Sequence, residues 1–325
     1  MFLEVEHHLW LEYDTFINES YVELRLQPKT MPRQAVAAFL LAVGPPTTMQ
    51  RYRDWNDNHV HHFTVTKFHD RIEVLSRSLV DTRPPSPALD AVGDATPLAG
   101  PLPPHLEDWL SLGGPLSETP RLRRFSAGAK PPRNAPLGAL VRGLSEHMQR
   151  HFKYEKNVTR YDSTTEDFLR LGAGVCQDFA HMMLALLRLR GIPCRYVSGY
   201  LHVERESTEP SQSHAWIEFH APAHGWVAFD PTHHRDVDER YVVVAHGRHY
   251  DDVPPNKGLY RGHADETLRA EVHTRAAARK TVSDLHEEIR HIDLPVYQEI
   301  PERPAPRPYS AADEVAAQQQ QQQQQ

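Results

Sequence analysis

Cysteine is scarce in this chain: only Cys176 and Cys194 occur among its 325 residues. Two cysteines cannot form the disulfide framework of a small secreted domain, so both are expected to be free thiols in a reducing compartment. No stretch approaches the roughly 18–20 apolar residues that a membrane span needs. The first residues carry acids where a signal peptide has bases followed by an apolar run. These features predict a cytoplasmic protein with no membrane partner.

An excess of basic residues is also lacking. The 36 Lys and Arg residues stand against 43 Asp and Glu residues, giving a net charge of −7 and no general reason to expect nucleic-acid binding. The 22 histidines include pairs such as His7-His8 and His233-His234, but these lack metal-ligand spacing with cysteines or acids. We therefore expect no metal site and no cofactor, and the sequence leaves the oligomeric state open.

Residues 1–82 are predicted to form a small antiparallel β domain. Apolar side chains alternate with mostly polar ones in several runs, as expected for strands with one buried face. These runs are centred on Leu3–Leu11, Val22–Leu26, His61–Val65 and Ile72–Val80.

Three further segments are predicted from changes in composition. Residues 83–104 contain seven prolines and little periodicity, which is typical of a linker. Residues 105–275 combine helical runs with later strand-like runs, an α+β order that predicts a second domain. Residues 276–325 are proline-rich towards the end and finish in eight glutamines, so this extension is predicted to be largely disordered.

The most informative stretch is Gly-Ala-Gly-Val-Cys-Gln-Asp-Phe-Ala-His at 172–181. It places Cys176 after a glycine-rich turn and at the front of a helical run that Gly191 and Pro193 end. The positive end of the helix dipole and the unpaired N–H groups there favour a thiolate, which is the nucleophilic form. Cys194 follows Pro193 and enters an apolar strand, so it is predicted to be a core residue.

A histidine and an aspartate follow on two neighbouring strands. His214 lies in the alternating run 213–219, and Asp230 ends the run 225–230, so the short intervening loop predicts an antiparallel hairpin. Because adjacent strands lie about 4.8 Å apart, the two side chains can hydrogen-bond on one face. Cys176 would complete a Cys–His–Asp triad. Each residue alone also fits a structural role, as a buried thiol, a strand histidine or a turn-capping aspartate.

The order of a cysteine helix, a histidine strand and an aspartate strand resembles the transglutaminase-like superfamily, in particular its bacterial members with an N-terminal β domain. The segments that carry this resemblance are 174–181, 191–200, 213–216, 226–232, 247–255 and 258–262. The similarity is specific over roughly residues 140–262 and weaker over the N-terminal region, where 23–28 match.

The resemblance implies an α+β fold with a papain/transglutaminase-like core, in which a nucleophile helix packs on an antiparallel sheet after a small antiparallel β domain. It also implies that residues 105–275 are the catalytic domain. It implies that Cys176 is the nucleophile, His214 the general base and acid, and Asp230 the residue that orients His214. The backbone N–H of Cys176 is a candidate oxyanion donor. Further candidates for oxyanion or substrate contacts are Gln177, Trp216, Tyr200 and Arg248.

The implied reaction is acyl transfer or hydrolysis at a carboxamide or peptide bond through a cysteine thioester. The substrate would be a peptide, a protein or a small amide. The sequence does not separate a transglutaminase from a protease or amidase without crosslinking activity, because water and amines compete for the same thioester. A catalytically silent binding or scaffold module of the same fold is the alternative from another functional class. No calcium loop is recognisable, so calcium dependence is not expected.

Overall fold

The computed structural model describes residues 1–84, 87–129, 134–204 and 213–277, together with the backbone of 296–298. The predicted glutamine tail and most of the predicted C-terminal extension lie outside the described residues.

The described residues form sixteen strands and four α-helices, with short 3-10 helices at Leu89–Ala91, Pro104–Leu110 and Tyr250–Asp252. The strands are β1 (Phe2–Ile17), β2 (Glu19–Leu24), β3 (Gln34–Gly44), β4 (Gln50–Arg53), β5 (His59–Val65), β6 (His69–Thr82), β7 (Lys153–Tyr154), β8 (Ala173–Gly174), β9 (Cys194–Leu201), β10 (His214–Ala221), β11 (Gly225–Asp230), β12 (Arg235–Asp236), β13 (Tyr241–Gly247), β14 (Asn256–Arg261), β15 (Glu266–Ala276) and β16 (Val296–Gln298). The helices are α1 (Pro120–Gly128), α2 (Leu137–His151), α3 (Thr165–Leu171) and α4 (Cys176–Arg188). Among the described helices, none has the length and hydropathy needed to cross a membrane.

Two antiparallel sheets pack face to face at the N-terminal end of the chain. Their strand orders are β15-β1-β6-β3-β16 and β14-β2-β5-β4. Leu9 and Leu11 of β1 share one core with Val22 of β2 and Phe63 of β5, so the alternating residues do face inward between the sheets. The sequence did not reveal β3, whose residues from Ala38 to Gly44 are all buried, because a strand covered on both faces shows no alternation.

A third sheet, β12-β11-β10-β9-β13, carries the candidate site and packs against α4. The predicted hairpin is present: β10 and β11 pair antiparallel from Ile217↔Phe229 to Ala221↔Gly225. Helix α4 is buried from Asp178 to Arg188, and its apolar side chains share the largest core with Ile217 and Phe219 of β10. The mixed fold with antiparallel sheets agrees with the α+β prediction.

Two strands that were assigned to the catalytic domain belong to the N-terminal sheets. β14 pairs with β2, and β15 pairs with β1 along eleven residues from Tyr13↔Glu266 to Leu3↔Ala276. The long strand β1 would otherwise present an open edge of unpaired backbone groups, and β15 covers it. The boundary predicted at residue 275 therefore cuts across a sheet that both ends of the chain build.

The proline-rich stretch 83–104 is packed onto the protein in its described part. Leu89 and Val92 are buried beside Leu137 and Val141 of α2. Gly138 makes this approach possible, because a Cβ at that position would lie 1.9 Å from the carbonyl oxygen of Leu89. The stretch thus contributes to the core and does not act as a free spacer.

Two side-chain amides, one from β3 and one from the turn before β5, hydrogen-bond to β13, the edge strand of the third sheet. Gln34 donates to the carbonyl of Val243 and accepts from its N–H, both at 2.7 Å. Asn58 forms the same reciprocal pair with His246 at 2.8 Å. Each amide donates to and accepts from one residue of β13, as the backbone of a neighbouring strand would. These bonds satisfy backbone groups at the edge of the third sheet and fix its position relative to the N-terminal region.

Candidate active site

A tight turn presents Cys176 at the first position of α4. Helix α3 ends at Leu171 and is capped by Gly172, whose φ of 72° is a left-handed conformation that favours glycine. The chain then forms the short strand β8, which pairs with β7, and enters α4 at Cys176. The Cys176 side chain is only partly buried.

The carboxylate of Asp178 fixes this turn. Its Oδ2 accepts hydrogen bonds from the N–H of Val175 at 2.7 Å and from the hydroxyl of Thr159 at 2.6 Å. A Cβ on Gly174 would lie 2.4 Å from that same oxygen, so only glycine leaves room for it. Burial raises the pKa of Asp178, while these hydrogen bonds lower it. Gly174 and Asp178 therefore act as supports for the position of Cys176.

The structure brings His214 between Cys176 and Asp230. Nε2–H of His214 donates to Oδ2 of Asp230 at 2.8 Å, and the side chain of Cys176 lies close enough to the imidazole to raise the pKa of His214. Because Nε2 is engaged by Asp230, Nδ1 is the ring nitrogen left for the thiol. Trp216 is fully buried and stacks beside the imidazole with ring centroids 6.1 Å apart. The ring edge of Trp216 occupies the space that a Cβ of Gly199 would need.

Asp230 is fully buried and receives five hydrogen bonds. Its Oδ1 accepts from the backbone N–H groups of Thr232 and His233. Its Oδ2 accepts from His214, from Nδ1–H of His233 at 2.7 Å and from the hydroxyl of Tyr241 at 2.7 Å. A buried carboxylate needs such partners to remain ionised.

Opposite charges and hydrogen bonds stabilise the ionised forms of His214 and Asp230. Burial lowers the pKa of His214, but the hydrogen bond to Asp230, the interaction with Cys176 and the charges of both raise it to about 10. Burial raises the pKa of Asp230, but hydrogen bonds from His214 and His233 and their charges hold it well below its ordinary value. The imidazolium form of His214 is therefore favoured at neutral pH.

His214, Asp230 and His233 also lie close enough to share a metal ion in principle, with ligand atoms within 4.8 Å of one another. Nε2 of His214 and Nδ1 of His233 both donate to Asp230, so hydrogen bonds account for the proximity of these three side chains.

The other predicted site residues lie in different surroundings. The side-chain amide of Gln177 donates to the carbonyl of Tyr161 at 2.8 Å and so holds the neighbouring loop. Tyr200 is buried and hydrogen-bonds His7 of β1 at 2.9 Å. Arg248 forms a two-bond ion pair with Asp252. Only Trp216 among these four candidates contacts a member of the Cys176–His214–Asp230 group.

Sequence reasoning missed His233, Tyr241 and Arg235. His233 follows the Asp-Pro-Thr turn, and Arg235 donates from Nε to the hydroxyl of Tyr241 at 2.8 Å. Nothing in the strand alternation marks Tyr241, because β13 is buried along its whole length. The one available signal was proximity in sequence, since His233 and Arg235 lie within five residues of Asp230.

The second thiol has a contrasting environment. Cys194 is fully buried, its sulfur points at the carbonyl of Leu184, and burial raises its pKa to about 11. It matches the predicted core residue and provides an internal reference for the reactivity of Cys176.

Two family models match this chain. The model of the transglutaminase-like superfamily matches residues 122–231, and the model of the bacterial transglutaminase-like N-terminal region matches residues 3–81. Together they cover the N-terminal strands and the segment that holds Cys176, His214 and Asp230.

Individual proteins are similar to the chain over different shares of its length. An uncharacterised protein of Mycobacterium leprae is 33% identical over 265 residues, which is 80% of this chain and 93% of that protein. A protein-glutamine gamma-glutamyltransferase of Pseudomonas aeruginosa is 27% identical over 133 residues, which is 38% of this chain and 20% of that protein. The crystal structure of a candidate cysteine protease from Cytophaga hutchinsonii has a TM-score of 0.70 at 19% identity, covering 86% of this chain and 93% of the other. That structure shows a shared fold.

Proposed function

The chain belongs to the transglutaminase-like superfamily, and from this membership we propose that it is a cysteine enzyme that transfers or hydrolyses acyl groups at amide bonds. The observation that carries the proposal is the position of His214, which interacts with Cys176 and donates a hydrogen bond to the buried Asp230. Thiol catalysis of acyl transfer requires a nucleophile beside a base, and an acceptor beside the base that orients it.

In the proposed reaction, the Cys176 thiolate attacks the carbonyl carbon of a carboxamide or peptide bond and forms a tetrahedral oxyanion. The C–N bond then breaks, and His214 gives its proton to the leaving amine, which leaves a thioester on Cys176. His214, now neutral, takes a proton from an attacking water or amine. The C–S bond breaks and the thiolate–imidazolium pair is restored.

The start of α4 offers donors for the oxyanion. Within the described residues, no hydrogen bond engages the backbone N–H of Cys176 or that of Gln177, as expected for the first turn of a helix. These groups and the helix dipole lie where negative charge develops beside the sulfur. The amide side chain of Gln177 is committed to Tyr161, so we assign the oxyanion to backbone donors.

The proposed substrate is a peptide, a protein or a small amide, in a cytoplasmic setting that keeps both thiols reduced. Water gives hydrolysis and a primary amine gives transamidation from the same thioester. Support for the amide-bond chemistry comes from the triad geometry, which both reactions share.

Labelling with iodoacetamide at pH 7 tests whether Cys176 is an activated nucleophile. We expect Cys176 to react about tenfold faster than Cys194 or more, because only Cys176 is accessible and paired with an imidazolium. Peptide mass spectrometry reports the two sites separately, so each protein sample carries its own reference thiol.

The variant His214→Ala removes the partner of the thiol and is expected to abolish the fast phase at Cys176. His220→Ala is the matched control, since His220 lies on the same strand but outside the triad. Equal and slow labelling of both cysteines in the wild-type protein would identify the chain as a silent member of the fold.

A further inference from the structure

Three donors converge on one oxygen of Asp230. Tyr241 and His233 share Oδ2 with His214, while the backbone N–H groups of Thr232 and His233 occupy Oδ1. The backbone bonds already anchor the carboxylate in the turn after β11. The hydroxyl of Tyr241 is therefore an additional donor that acts on the atom that holds His214.

The direction of the Tyr241 hydrogen bond is fixed by Arg235. A tyrosine hydroxyl has a single proton, and that of Tyr241 accepts a hydrogen bond from Nε of Arg235 at 2.8 Å. Its own proton must then go to Asp230, at 2.7 Å. Burial and the charge of Asp230 raise the pKa of Tyr241, so the hydroxyl keeps its proton throughout the range in which the enzyme would work.

We propose that Tyr241 is a positioning residue of the proposed acyl-transfer site: by sharing Oδ2 of Asp230 with His214, it limits how firmly the carboxylate holds the imidazolium. This inference rests on the proposed function. A carboxylate whose charge is spread over several donors is a weaker acceptor for each of them. His214 then remains acidic enough to give its proton to the leaving amine, which general acid catalysis requires.

The titratable and charged groups around this unit come from every element packed against it. α4 contributes Cys176, β11 contributes Asp230, the following turn contributes His233, β12 contributes Arg235 and β13 contributes Tyr241. Cys176 and Asp230 stabilise the charged form of His214. Tyr241 and His233 donate hydrogen bonds to Asp230, and Arg235 donates to Tyr241, so these groups oppose that effect.

The test is Tyr241→Phe, which deletes the hydroxyl and keeps the ring that packs at right angles to Trp216 with centroids 5.2 Å apart. The readout is an NMR titration of His214 in protein labelled with ¹⁵N-histidine, with the signal assigned by its loss in His214→Gln. We expect the pKa of His214 to shift upward by about one pH unit, because Asp230 then concentrates its charge on fewer donors. A purely structural role predicts an unchanged or lowered value, and either result overturns the proposal.

Arg235→Gln gives a second, independent measurement. It removes the cation that orients the Tyr241 hydroxyl and should shift the His214 titration in the same upward direction by a smaller amount. Tyr13→Phe removes another buried tyrosine hydroxyl, in the N-terminal sandwich, and should leave the His214 titration unchanged. A downward shift in Arg235→Gln, or an equal upward shift in Tyr13→Phe, contradicts the proposal. Because the titration needs no substrate, it can fail while Cys176 labelling succeeds, which separates this inference from the proposed function.

Discussion

Cys176→Ala is expected to abolish turnover, reducing the rate by on the order of 10⁵-fold, to the background of the uncatalysed reaction. The reason is that every proposed covalent step passes through the Cys176 sulfur, and His214 has no other nucleophile to activate among the contacts described for it. The measurement is a paired assay on glutaminyl peptides and small amides. Ammonia release and incorporation of a primary amine are followed in the same reaction.

Cys194→Ala is the matched control for this prediction. Cys194 is a fully buried core residue, and its replacement removes only a small apolar group. We expect turnover within a few-fold of wild type. Loss of activity in Cys194→Ala with retention in Cys176→Ala would reverse the assignment of the nucleophile.

Asp230→Ala is expected to reduce turnover by about 10³–10⁴-fold and to destabilise the fold by about 3–5 kcal/mol. The substitution leaves the donors of His214, His233 and Tyr241 without their common acceptor in a buried site. It also removes the main support for the imidazolium form of His214. Enzyme assays and urea denaturation measure the two effects separately.

The stability effect of Asp230 should depend on pH in a defined way. The pKa of Asp230 is lowered in the folded state, so its contribution is fully present above the ordinary value of 3.8 and is lost as the pH falls. The pKa of His214 is raised, so its contribution is fully present below 6.5 and is lost as the pH rises through about 10. The difference in unfolding free energy between wild type and Asp230→Ala should therefore be largest between pH 3.8 and pH 6.5, the ordinary pKa values of the two groups. Asp90→Ala, which removes an exposed carboxylate paired with Arg142, should show a small difference without this maximum.

The alternating strands and the cysteine helix could be predicted because each depends on local patterns. The inward face of β1 and the hairpin of β10 and β11 follow from a period of two with turn signals between. The pairing of β15 with β1 could not be predicted in this way. It joins Leu3 to Ala276 across nearly the whole chain, and no local pattern specifies such a partner.

In the candidate site, too, local patterns predicted some features and long-range packing determined others. The positions of Cys176, His214 and Asp230 followed from a helix start and two neighbouring strands, together with a family resemblance. The surroundings of Asp230 depend on packing: Tyr241 reaches it from a buried edge strand, and Arg235 reaches Tyr241 from β12. Tyr200 and Arg248 were proposed from their place in sequence motifs, but their partners are His7 and Asp252. The partner of each side chain depends on the direction in which it points, and that direction is fixed only when the sheets assemble.

Formation of an acyl-enzyme on Cys176 is the central claim, and trapping that species tests it most directly. The wild-type protein is incubated with p-nitrophenyl acetate, quenched in acid, digested and analysed by mass spectrometry. We predict one acetyl group on the peptide that contains Cys176, removable by hydroxylamine as a thioester, with none on Cys194 and none after Cys176→Ala. Acetylation that is confined to other residues, or that persists unchanged in Cys176→Ala, would contradict the assignment of Cys176 as the nucleophile.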